Sequence, residues 1–152
     1  MKKDLVKFFA TGAWAGCSPV APGTVGTLWG VAIAWLAWPG GAYVQAPVVA
    51  AVFLASVYLA GRAAGDLGDA DPSSVVCDEI TGVLVAFFLL PFTPFNAIMV
   101  FILFRIFDIL KPWPVSTADR RIKGGFGIVA DDVVAGVYAN ICARGILWYL
   151  AR

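Results

Sequence analysis

From Phe8 to Gly61 the chain carries no Lys, Arg, Asp or Glu. An uncharged stretch of that length has to be hidden from water, by other protein or by lipid. It opens with a Gly/Pro-rich loop, Gly16-Cys-Ser-Pro-Val-Ala-Pro-Gly-Thr24. Two apolar segments follow, residues 25–38 and 46–60, parted by Pro39-Gly40-Gly41. They are expected to form helices joined by an uncharged tip. The pattern recurs in residues 80–104, which Pro91-Phe-Thr-Pro94 divides into two short helices, and in a last apolar helix over 133–150 with Arg144 inside it. The whole chain is 61% hydrophobic and only 14% charged, whereas soluble domains run nearer half apolar and a quarter charged. The expected fold is therefore all-α. It is a compact bundle of short helices in one domain over residues 1–152, integral to a membrane, with a polar carboxylate-lined site at its cytoplasmic end.

The orientation comes from the basic residues. Lys2, Lys3, Lys7, Arg62, Arg105, Lys111, Arg120, Arg121 and Lys123 fall in segments that alternate with the uncharged tips. One face collects them all, and the positive-inside rule makes that face cytoplasmic. Lys2 and Lys3 followed by apolar residues imitate a signal peptide, but Asp4 interrupts the basic run and no clean cleavage site follows. Span length is the difficulty: a crossing needs about 20 residues, and segments such as 74–90 and 95–111 reach 17. A single span over 80–104 would put Glu79 and Asp108 on opposite sides of the membrane. A hairpin, re-entrant in form, keeps them together provided its turn is covered. A soluble and unusually apolar bundle is the alternative.

Six carboxylates stand at the breaks in this apolar chain: Asp71, Asp78, Glu79, Asp108, Asp131 and Asp132. Buried charge is costly unless paired or bound to a cation, and within a membrane segment it reads as functional. Asp78-Glu79-Ile-Thr-Gly82 and Asp131-Asp132-Val-Val-Ala135-Gly136 each look like an acidic pair opening a helix, with a small residue four positions after an acid to admit a close neighbour. Acids at helix starts also simply complement the macrodipole, and Asp71 reads as a cap of a helix starting near Ser73-Ser74. Arg105 and Asp108 share a helix face, and Pro112 ends that helix so that Lys111 can turn toward the same site. Lys123-Gly-Gly-Phe-Gly127, with Gly125 at its centre, reads as a phosphate cradle before a helix, and the Thr24 hydroxyl as a further phosphate contact.

The chain has no histidine. Histidine phosphatases are excluded, and so is zinc, because Cys17, Cys77 and Cys142 are isolated; they read as reduced packing residues. No cysteine is followed at the required spacing by an arginine, and no GxxxxGK[ST] loop exists. Asp69-Ala-Asp71-Pro-Ser73 matches a loose aspartyl-phosphate phosphatase pattern but lacks the preceding strand. A net charge of +1 offers no basic field for nucleic acid. All-oxygen ligands suit Mg2+ or Mn2+. Such a cation beside Arg105 and Lys111 in a membrane-facing pocket points to phosphoryl chemistry on an amphipathic substrate.

The residues resemble the phosphatidylglycerophosphatase A family in four blocks: Ser18-Pro-Val-Ala-Pro-Gly-Thr-Val-Gly26, Val75-Val-Cys-Asp-Glu-Ile-Thr-Gly82 with Asp71 before it, Phe104-Arg-Ile-Phe-Asp-Ile-Leu-Lys-Pro-Trp-Pro-Val115, and Gly124-Gly-Phe-Gly-Ile-Val-Ala-Asp-Asp-Val-Val-Ala-Gly136 with Asp119 before it. Cys77 and Val129 are small departures. The resemblance implies an all-helical, multi-pass protein of the bacterial inner membrane whose site faces the cytoplasm. It implies Mg2+-dependent hydrolysis of phosphatidylglycerophosphate to phosphatidylglycerol and phosphate. On that reading Asp78, Glu79, Asp108, Asp131 and Asp132 supply the metal ligands and the base. Arg105 and Lys111 hold the phosphate, with Lys123, Thr24 and Gly125 as lesser contacts. In-line attack by water and an aspartyl-phosphate on Asp78 or Asp131 both stay open, as does a homo-oligomer. A head-group phosphotransferase and a small membrane transporter or scaffold are the rival functions.

Overall fold

The structure is a computed structural model that describes residues 3–70, 72–117 and 123–152. Asp71 and its capping role, and Lys2, Asp119, Arg120 and Arg121, lie outside the described residues. The described residues include six complete helices, α1 (Lys3–Ala10), α2 (Pro22–Ala37), α3 (Ala42–Leu67), α4 (Cys77–Phe87), α5 (Pro94–Leu110) and α6 (Gly124–Leu150), and residues 115–117 are helical as well. No strand occurs among the described residues. Short 3₁₀ turns at Ala15–Cys17 and Trp38–Gly40 serve as connectors.

The centre of the bundle is its shortest interior element. α4 has 11 residues, nine of them buried, and packs against α2, α3, α5 and α6. Val83, Leu84 and Phe87 join Val100, Phe104 and Ala139 in the main core. Small residues let the neighbours close on it. A Cβ on Gly136 of α6 would strike the carbonyl oxygen of Gly82, and one on Gly82 would stand 2.7 Å from the carbonyl oxygen of Asp132. The two backbones therefore meet directly, as small residues permit at close helix crossings.

A helix of 11 residues cannot cross a bilayer, and it turns back inside the protein into α5. Such a turn needs partners for its freed backbone groups, and the structure supplies them from three other helices or connectors. Trp38 Nε1 donates to the Phe87 carbonyl at 3.0 Å. Asn140 Nδ2 donates to the Ala86 and Phe88 carbonyls at 2.8 and 2.9 Å. Arg144 adds a bond to Phe88 O at 2.9 Å, and Gln45 Oε1 accepts from Leu89 N–H at 2.9 Å. At the entry to α5, Thr93 Oγ1 accepts from Asn96 N–H at 3.1 Å, with Pro94 in the first turn. The hairpin expected over 80–104 is present.

Three boundaries differ from expectation. α4 begins at Cys77, not near Ser73, because residues 72–76 are held in irregular form: Val76 N–H bonds the Ala10 carbonyl at 2.9 Å, and Gly16 lies against Ser74 O. α3 extends well past residues 46–60 at both ends. α6 starts at Gly124, so Asp131 and Asp132 sit about two turns inside a helix and not at its opening. The Gly124–Gly127 stretch is helical although each glycine costs about 1 kcal/mol relative to alanine. Gly125 shows why: α3 presses on it so closely that a Cβ would meet Val57 O and, at 2.6 Å, Gly61 N. Tertiary packing overrides local propensity there.

α3 and α6 have 26 and 27 residues and are long and apolar enough to cross a membrane. At 1.5 Å per residue each spans about 40 Å. Only 17% of the apolar window of α3 is buried, against 56% of that of α6, so α3 turns the larger share of its apolar residues outward.

The α4–α6 contact makes two measurable predictions. Gly136→Ala is expected to destabilise the detergent-solubilised protein by roughly 1–3 kcal/mol, the usual cost of overpacking. Asn140→Leu leaves the Ala86 carbonyl without its side-chain donor and should cost about as much. Thermal unfolding followed by circular dichroism checks both; an unchanged midpoint for Asn140→Leu would show that its two bonds do not hold the turn.

Candidate active site

The first turn of α4, the second and third turns of α6, the end of α5 and the start of α2 converge on one cavity of about 300 Å³. Asp78, Glu79, Arg105, Asp108, Lys111, Asp131 and Asp132 all line it. Seven of the sequence-predicted residues are thus brought together. Thr24, Lys123 and Gly125 are not among the lining residues: Gly23 lines it where Thr24 does not, Lys123 is exposed at the start of α6, and Gly125 is committed to the contact with α3.

Three of the acids form a compact group. One carboxylate oxygen each from Asp78, Glu79 and Asp132 lies within 4.8 Å of the others. Asp78 and Asp132 are buried at 8% and 4% exposure. Asp78 Oδ1 also accepts the Glu79 N–H at 3.0 Å, which turns it toward its neighbour. Burial, followed by the negative charge of Glu79, raises the Asp78 carboxyl well above the ordinary carboxylate range. Burial likewise raises Glu79, partly opposed by its hydrogen bond with Asp78. Glu79 Oε2 is buried without a hydrogen-bond partner. An oxygen-only donor set, an orphaned buried carboxylate oxygen and mutual repulsion together fit a hard divalent cation such as Mg2+.

Two cations balance part of this charge. Arg105 Nη1 pairs with Asp108 Oδ2 at 2.6 Å, one turn along α5, and stands 4.0 Å from Glu79 Oε1. Its Nε is buried with no hydrogen-bond partner. Lys111 closes α5 with φ 42, a left-handed turn that ends the helix before Pro112. The turn swings Lys111 across to α6, where Nζ meets Asp131 Oδ2 at 2.7 Å. Glu79 and Asp108 therefore share one side of the fold, bridged by Arg105.

Sequence reasoning singled out the Ala21-Pro-Gly-Thr24 turn for its Thr24 hydroxyl and gave no role to the residues that line the cavity there. Ala21, Pro22 and Gly23 line the cavity, and so do Pro72 and Ser73. Gly23 has a specific duty: a Cβ there would collide with Glu79 Oε1 and stand 3.1 Å from Arg105 Nη1. The Pro-Gly pair ahead of Thr24 was the available signal. Cys77 precedes the acids, but burial pushes its thiol up to about 12 and its Sγ donates to the Ser56 carbonyl, which disfavours the thiolate a nucleophile needs.

Comparison with known proteins adds an independent finding. The family model "Phosphatidylglycerophosphatase A" matches residues 8–147. A protein of Escherichia coli named phosphatidylglycerophosphatase A is 36% identical over 148 residues, covering 94% of this chain and 81% of its own. One of the same name from Haemophilus influenzae is 35% identical, covering 95% and 90%. A protein of Bacteroides thetaiotaomicron, provisionally named as a phosphatidylinositol-3-phosphatase, is 36% identical and covers 92% of each chain. No solved structure matches.

The Gly23 contact is testable without any turnover assay. Gly23→Ala is expected to displace the Glu79 carboxylate and weaken Mn2+ binding about tenfold or more, the range for residues that position metal ligands. Titration of the purified protein with Mn2+, read by electron paramagnetic resonance, checks it. Wild-type affinity in that variant would show that Glu79 is not a ligand.

Proposed function

The chain belongs to the phosphatidylglycerophosphatase A family, and we propose that it hydrolyses phosphatidylglycerophosphate to phosphatidylglycerol and inorganic phosphate with Mg2+ held by Asp78, Glu79 and Asp132. The observation that carries the cation is the convergence of those three carboxylates within 4.8 Å, one of them with an orphaned buried oxygen. Asp108 and Asp131, paired with Arg105 and Lys111, complete the charge of the cavity.

The division of labour follows from the geometry. Arg105 and Lys111 line the cavity on the α5 side and are the groups to meet a phosphate monoester. Arg105 retains an N–H at Nε without a partner, a donor left for a phosphate oxygen. Each cation is already held by a carboxylate, so its position is set before substrate arrives. A carboxylate of the cavity can take the proton of an attacking water. When bound, Mg2+ supplies positive charge for the developing oxyanions and makes that water more acidic. Asp78 and Asp131 also have the chemistry to act as nucleophile.

We place the protein in the bacterial inner membrane as a multi-pass protein with this cavity facing the cytoplasm and with phosphatidylglycerol synthesis as its role. The support is charge asymmetry: Lys3, Lys7, Arg62, Arg105, Lys111 and Lys123 belong to the half of the bundle that holds the site, while Arg144 and Arg152 belong to the other.

Phosphate release from phosphatidylglycerophosphate in mixed micelles tests the reading. Release is expected with Mg2+, to stop on chelation, and to fall about 100-fold or more in Asp78→Asn and Asp132→Asn. Chelator-insensitive release would remove the cation from the mechanism. Faster release from phosphatidylinositol 3-phosphate would change the substrate, in line with the name of the Bacteroides relative. With a chiral phosphate, overall inversion means direct attack by water and retention means a covalent aspartyl-phosphate.

A further inference from the structure

A second crevice, of about 280 Å³, opens beneath α1 on a different part of the molecule and shares no lining residue with the carboxylate cavity. Its walls are Trp29 and Ile33 of α2 and Val52, Ala55 and Leu59 of α3. Phe8 and Phe9 of α1 and the following Gly12-Ala13 turn form its upper end, and Cys77 and Ile80 of α4 its floor.

The buried polar side chains of this lining, Ser56 and Cys77, already have hydrogen-bond partners. Ser56 Oγ donates to the Cys77 carbonyl at 2.8 Å and accepts from Thr81 Oγ1 at 2.9 Å, and Cys77 Sγ donates to the Ser56 carbonyl at 3.8 Å. The crevice therefore offers an incoming molecule an almost wholly apolar surface. A polar or charged ligand would lose its hydration for no new bond.

Its setting names the apolar molecule. The α3 wall belongs to a helix long and apolar enough to cross a membrane, whose neighbouring Leu54 and Tyr58 are exposed. The crevice is thus continuous with the surface that α3 turns to the bilayer. At its upper end α1, only eight residues long, carries half-exposed Leu5 and Phe9 with Lys3 and Lys7 alongside. Lys7 Nζ stands 5.8 Å from the centroid of the Trp14 ring, which packs edge-on to Phe8. Aromatic rings beside lysines are the composition of a head-group layer. Lys3 pairs with Asp66 at 3.2 Å. Lys7 lines a separate small cavity with Asp4 and Asp66 and reaches the crevice end through Trp14, which packs on the lining residue Phe8.

We propose that this crevice is a lipid site: it holds one acyl chain of a bilayer phospholipid, a molecule other than the substrate, with the lipid phosphate at Lys7. A lipid wedged between α1, α2 and α3 rests on Cys77 and Ile80, one residue on either side of the Asp78-Glu79 pair. It would steady the helix turn that holds those acids.

Photolabelling tests the site apart from catalysis. The purified protein is reconstituted in phosphatidylcholine vesicles carrying a phosphatidylglycerol with a diazirine in its acyl chain, illuminated, digested and mapped by mass spectrometry. Labels are expected on the α2 and α3 wall residues above the level of the other exposed faces. Ala55→Phe and, as a second filling variant, Val52→Phe should lose most of that labelling and keep labels elsewhere. Lys7→Gln should lower it at least about threefold, a modest share of one charge contact with a lipid surface. Uniform labelling of all exposed helices, or unchanged wall labelling in both filling variants, would overturn the proposal. Wall residues found cross-linked to a second protein copy would overturn it also. None of these results depends on phosphate release, so failure of the phosphatase reading would show separately in the micelle assay.

Discussion

Everything in this fold is arranged around a short helix with both ends inside the protein. α4 cannot reach across a bilayer and cannot leave its terminal groups bare. Its last carbonyls are met by Trp38, Asn140 and Arg144, drawn from a 3₁₀ connector and from α6. Its first turn carries Asp78 and Glu79, and α6 delivers Asp132 to the same place. The two problems are solved by one neighbour. α6 lies flat against α4 because Gly82 and Gly136 bring the backbones together, and that same contact sets Asp132 against the first turn and Asn140 against the last. Site geometry and helix satisfaction are therefore one packing fact.

Charge accounting in the cavity is what supports the proposed cation. Asp78, Glu79, Asp108, Asp131 and Asp132 line it, with Arg105 and Lys111 as its cations among the described residues. Desolvated acids in excess hold protons or bind a cation; they do not stay bare. Asp108 and Asp131 have their basic partners at 2.6 and 2.7 Å. The excess thus falls on Asp78, Glu79 and Asp132, which are the three that converge. A phosphate monoester adds further negative charge. A divalent cation is the compact remedy available to a chain with no histidine.

Much of this was legible in the sequence, for a physical reason. Charged residues are so few in this chain that each had to be paired or functional, and seven of the named ones meet in one cavity. The Pro91–Pro94 break and the stop at Pro112 also read correctly, because proline acts locally. What failed was whatever depended on a neighbour. Gly124–Gly127 looks like a loop in isolation and is helical because α3 packs onto Gly125. Asp131 and Asp132 consequently looked like a helix opening and are interior. The capping role of Asn140 and Arg144 was hidden for the same reason: their partners lie more than 50 residues away, and only the four-residue spacing of two polar groups in an apolar helix hinted at it. Gly23 was overlooked beside Thr24 because a hydroxyl advertises chemistry and an absent side chain does not.

The placement of Asp131 and Asp132 inside α6 also changes what they can do. At a helix opening, free backbone N–H groups would stabilise their negative charge. Two turns in, those N–H groups are used by the helix itself, and the acids depend on side chains alone. Asp131 has Lys111, which reaches it only because α5 ends in a left-handed turn. Asp132 has acids for neighbours in the cluster. Of the pair, Asp131 is thus the one held by a protein cation and Asp132 the one assigned to the proposed Mg2+. Two adjacent residues of the same type, on one helix, are divided in role by which neighbour each one faces.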